Sequence, residues 1–121
     1  MKHKFINDSN RDDIIQMLFE AQSEIAFKLN DSEDNPVSLS LFLLELGVTD
    51  STVETKLLQM TTKMVLAAED PMKLTVIDFQ KEFHKISPQI KVDPESPAVV
   101  RYILKWVGLR IPFVYPVAMN I

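Results

Sequence analysis

A mainly α fold is predicted for this chain: one compact bundle of four to five helices over residues 1–121, with an extended C-terminal arm. Three observations predict it. Apolar residues recur at spacings of three and four through most of the chain, each such run follows a capping signal, and the period changes to two only over 111–121. Residues 1–8 are expected to be flexible or extended and 109–121 to form the arm.

The first run opens at Ser9, read as an N-cap, with Asp12 at capping-box distance and Asp13 beside it in the first turn, where the helix dipole favours acids. Ile14, Leu18, Ala21, Ile25 and Leu29 then share one face, which is predicted to be buried. The polar, Pro36-broken stretch 30–38 reads as a loop leading to a second N-cap, Ser38. The short run after it carries Leu39, Leu41, Phe42, Leu43, Leu44 and Leu46 and ends at Gly47. With almost no polar face, it fits between other helices.

Ser51 and Glu54 stand at capping-box spacing and open a helix expected to reach about Glu69, with Val53, Leu57, Met60, Met64 and Ala67 along one seam. Asp70 and Pro71 end it. Thr75 and Asp78 start a further helix with Val76, Phe79, Phe83 and Ile86 on one side. Three prolines then divide 87–97, leaving room for an extended piece only at Ile90 to Val92. Ser96 followed by Pro97 signals the next helix, whose only charges up to Val107 are Arg101 and Lys105. This is the expected central core helix.

Gly47 and Gly108 are the only glycines, and each ends an apolar run, so both read as C-terminal caps with positive φ. Beyond Gly108, Ile111, Phe113, Tyr115, Val117, Met119 and Ile121 alternate with Pro112, Val114, Pro116, Ala118 and Asn120. That alternation predicts an arm or a small edge strand with one apolar face.

Composition narrows the function. The chain has no cysteine, which removes thiol chemistry and thiolate metal sites. Residues 1–70 carry six Lys/Arg against thirteen Asp/Glu, a net of −7, and residues 71–121 carry seven against four, a net of +3, giving −4 overall. An acidic first half disfavours a continuous nucleic-acid-binding face. No apolar leader-like or membrane-length run is present, so a cytoplasmic location is expected and no membrane partner. No catalytic, cofactor or metal residue is assigned: the two histidines, His3 and His84, do not pair at ligand spacing, and no serine lies in a glycine-flanked elbow.

The leading expectation is a non-catalytic cytoplasmic regulator or adaptor that binds protein, as a homodimer or with another chain. Its expected contacts are Phe113, Tyr115, Val117 and Met119 on the arm with Met60 and Met64 on the seam, residue types that interfaces enrich. The alternative starts at Gly47-Val48-Thr49-Asp50-Ser51-Thr52-Val53. A glycine ending one helix, a hydroxyl residue opening the turn and a Thr-Val pair starting the next resembles helix-turn-helix DNA-binding regulators, over residues 39–58. The resemblance implies contacts from Thr49, Ser51, Thr52, Thr55, Lys56 and Gln59. It departs from the pattern at Leu43, where a small residue is usual, and at Glu54, an acid aimed at a polyanion. A variant treats 96–110 as the DNA-facing helix, with Arg101, Lys105 and Arg110 on phosphates and the arm as a wing. An enzyme assembled from scattered polar residues is the third expectation.

Overall fold

The computed structural model describes residues 7–121. Its helices are α1 (Arg11–Lys28), α2 (Leu39–Glu45), α3 (Val53–Ala67), α4 (Val76–Ile86), α5 (Ala98–Gly108) and α6 (Tyr115–Asn120), with single 3-10 turns at Pro71–Lys73 and Pro112–Val114. No β-strand stands among the described residues. The one ladder-type contact is an isolated antiparallel bridge between Ser32 and Asn35. Most of the expected N-terminal extension, 1–6 with His3, lies outside the described residues.

α5 is the hub, as its composition predicts. It buries Val100, Tyr102, Ile103, Leu104, Trp106, Val107 and Gly108, and α2, α3, α4 and α6 all pack on it. α4 contributes Phe79 and Phe83, both wholly buried with ring centroids 5.8 Å apart. Burial of such rings is the main source of stability in a core this size. Arg101 and Lys105 stay at its edge. The Arg101 guanidinium donates to the Ile121 backbone carbonyl at 3.1 Å, while Lys105 pairs with Asp34.

The local signals act as their chemistry dictates where the neighbours permit. Ser38 Oγ accepts from the Leu41 amide at 3.2 Å, and Thr75 with Asp78 forms a reciprocal capping box. Gly47 has φ +89° and ends α2: its own amide reaches the Leu44 carbonyl, and the Val48 amide reaches the Leu43 carbonyl at 2.9 Å. The same two-bond closure ends α1, with Asn30 at φ 59° in the glycine's place.

Other starts and stops are displaced. α1 is preceded by Asn10, not Ser9, because the Asn7 side chain takes the amides of both Ser9 and Asn10. At α3 the expected Ser51–Glu54 box does not form. Asp50 instead accepts from the Thr52 amide and hydroxyl, which hold its carboxyl below the ordinary carboxylate range. Glu54 is taken by Ser40 of α2. α3 ends at Ala67, and its buried line is Val53, Leu57, Thr61 and Val65, leaving Met60 and Met64 half-buried and Ala67 exposed. Helix α5 begins one residue late, after Pro97, because Ser96 Oγ is turned back to Asp93.

Between α4 and α5 there is no extended pairing at Ile90 to Val92; the segment is held by side chains. The buried Gln80 carboxamide donates to the Asp93 carbonyl at 2.7 Å and accepts from the Asp93 amide at 3.0 Å, and His84 Nδ1 lies 2.8 Å from the Ile90 carbonyl.

The C-terminal segment is helical, not extended. Pro112 and Pro116 occupy the first turns of the 3-10 turn and of α6, where a missing N–H costs nothing. A helical period turns Val114, Val117 and Ala118 into the core and Phe113, Tyr115 and Met119 outward. Gly108 is no positive-φ cap. It is the last residue of α5, and a Cβ there would stand 3.0 Å from the Tyr115 Cα, so its role is close approach between α5 and α6.

Candidate functional site

The largest departure from expectation is α1. Its predicted core face is open: Leu18, Ile25 and Leu29 are 58%, 51% and 54% exposed, Ala21 is exposed, and Ile14 is only half-covered. Ala26 is the single buried residue of the helix. Met17 and Phe27 are also exposed, Phe27 at 83%. Isolated exposed apolar residues are ordinary on protein surfaces, but a stripe along a whole helix is not.

The cause lies at the far end of the helix. After the Asn30 closure the chain turns back through residues 31–38 to α2, and this loop is tied to the hub. Asp31 accepts from the Tyr102 hydroxyl at 2.7 Å and from the Val37 amide at 3.0 Å. The Ser38 amide donates to the Tyr102 oxygen at 3.1 Å, and the Tyr102 ring stacks on Phe42 at 4.0 Å between centroids. Burial and the neighbouring Asp31 carboxylate push the Tyr102 phenol up to about 12. These bonds leave α1 packed along α2, whose own inner face already fills the core with Leu39 and Leu43.

Between α1 and α2 runs a groove of about 480 Å³. Ile15, Leu18 and Phe19 line one wall and Leu41 and Leu44 the other, with Ser38 and Ser40 at the rim. No titratable side chain lines it. What it offers is apolar contact framed by neutral hydrogen-bonding groups, the usual furnishing of a site that takes an apolar helix face.

The residues expected to bind partners fall in three places. Phe113 on the 3-10 turn and Tyr115 and Met119 on α6 are exposed, while Val117 is 2% exposed and belongs to the core, because the helical period sets it opposite its expected neighbours. Met60 and Met64 line a shallow cleft with Leu74, on a different part of the surface from the α1 groove. For the DNA reading, Thr49, Ser51, Thr52, Thr55, Lys56 and Gln59 are all exposed around the α2–α3 corner, although Asp50 engages Thr52. The variant's C-terminal wing is not formed. Its arm is helical, Arg101 and Lys105 are bonded within the fold, and the Arg110 guanidinium lies 3.7 Å over the Trp106 ring.

Among the described residues no group of three His, Asp or Glu side chains converges as a metal site would require, and no helix is long and apolar enough to cross a membrane. Sequence reasoning missed the groove because it assigned the α1 stripe to the core. One signal was present: Met17 and Phe27 lie outside that stripe, so α1 has apolar residues on more sides than one domain core can cover. No protein-family model, curated protein or solved structure matches the chain.

Proposed function

We propose that this protein is a non-catalytic, cytoplasmic regulator or adaptor that binds an apolar helical segment of a protein partner along α1 and the α1/α2 groove. The observation that supports the reading is the open stripe of Leu18, Ile25 and Leu29 beside a groove lined by Ile15 and Leu44. An amphipathic helix laid there removes apolar surface from water on both sides, and burial of that kind drives helix-in-groove recognition.

Selection of amphipathic helical peptides against the purified chain, followed by NMR mapping, tests it. Shift changes centred on Ile15, Leu18 and Leu44 support the reading. Absence of any binder, or changes confined to Phe113, Tyr115 and Met119, removes it.

A second reading, a helix-turn-helix regulator, draws on the Gly47 corner and the exposure of Thr49, Ser51, Thr52, Thr55, Lys56 and Gln59. Retention on duplex DNA that falls steeply with salt supports it; no retention at low salt sinks it.

A further inference from the structure

We infer that α1 is a hinged cover on α2: residues 11–25 open and unravel as a unit while 31–121 stay folded, and the opening uncovers Leu41. This goes beyond the proposed function and holds whatever partner the chain binds.

The first support is how little holds the helix. Of its 18 residues only Ala26 is buried. None belongs to the core cluster or to the half-buried residues packed against it, all of which lie at Leu39 or beyond. The side-chain hydrogen bonds of α1 stay within the helix and the turn before it: Arg11 to Asp8, Gln16 to Glu20, and the Ser23 hydroxyl to the Phe19 carbonyl. The cost of opening a segment follows the contacts it breaks, so a helix that buries this little opens well before the body does. An isolated helix of this length is marginal in water, and α1 therefore loses its helical bonds once it leaves α2.

The second support is a fixed hinge. The Asp31 amide donates to the Ala26 carbonyl at 3.0 Å, and the Asn35 side-chain amide donates to the Leu29 and Asn30 carbonyls. Asp31 is held in turn by the Tyr102 hydroxyl, and Asp34 by Lys105. The last turn of α1 is thus clamped to α5, which confines the motion to the residues before Ala26.

The third support is what lies beneath. Leu41 is 4% exposed yet stands outside the core cluster, and it lines the groove with Ile15, Leu18 and Phe19 of α1. Leu39 and Leu43 keep their cover from the core, so α2 stays in place when α1 leaves. The open form then adds Leu41 to the already exposed Leu44, an apolar face that the closed form withholds.

Native-state hydrogen exchange on the unmodified chain in low urea tests this residue by residue. Amides of 15–25 are expected to be protected about a hundredfold less than those of 102–107 and to share one urea dependence, shallower than that of α5. Ile103→Val should lower protection in α5 by about two- to tenfold and leave α1 unchanged, because α5 is folded in both the closed and the open form. Equal protection in α1 and α5 overturns the inference. So does a loss in α1 that follows Ile103→Val, or exchange in α1 that frays amide by amide with no common urea dependence.

Discussion

A Cβ placed on Gly108 would lie 3.0 Å from the Cα of Tyr115, so the last residue of α5 carries the first residue of α6 directly on its backbone. That separation is tighter than nine in ten real Cβ contacts, so the Tyr115 backbone would have to give by a few tenths of an ångström. Gly108→Ala is therefore expected to push α6 away from α5 and to destabilise the fold by about 1–3 kcal/mol, the range for overpacking. Urea denaturation gives the loss, and hydrogen exchange should place it in residues 112–120.

Gly47 makes the opposite case. No heavy atom lies within 4 Å of a Cβ built there, but its φ is +89°. Gly47→Ala should cost about 1 kcal/mol through backbone strain alone, and Gly47→Asn less, since Asn30 already performs the same turn. Equal losses for the two substitutions would show that the turn's conformation is not the source.

The Tyr102 hydroxyl bonds both Asp31 and the Ser38 amide from inside the core. Tyr102→Phe leaves those groups short of a partner and should cost about 1–2 kcal/mol at neutral pH. A phenol raised above its usual 10 to about 12 favours the fold while protonated. Its contribution is thus complete below pH 10 and is lost as pH rises toward 12. The stability gap between the wild type and Tyr102→Phe should close over that interval; a constant gap contradicts the assignment.

Leu18 and Phe83 are both large apolar residues on helices, yet only one is in the core. At protein concentrations low enough to keep chains apart, Leu18→Glu should change stability by less than about 0.5 kcal/mol, as for an exposed site. Phe83→Ala should cost about 3–5 kcal/mol. A severe loss from Leu18→Glu under those conditions would mean that α1 packs into the body of the domain.

Much of the architecture was legible in the chain because it depends on neighbours close in sequence. The Thr75–Asp78 box, the Ser38 cap, the positive φ of Gly47 and the near-total apolarity of α5 all follow from interactions within a turn or two of the helix. At the misplaced starts a side chain of the preceding turn intervenes: Asn7 and Asp93 take the hydroxyls of Ser9 and Ser96, and Asp50 takes the Thr52 amide and hydroxyl, so that α3 starts after Thr52.

The sequence by itself determined that this protein is helical, where most of the helices lie and that α5 is their hub, since period, capping chemistry and composition are local quantities. Only the tertiary structure decided that the C-terminal residues form α6, because alternating apolar residues satisfy a strand or two faces of a short helix, and the opening at Gly108 selects the helix. It likewise decided that the α1 stripe faces outward. An amphipathic pattern states that a face must leave water, but the Asp31–Tyr102 anchor determines which surface is within its reach.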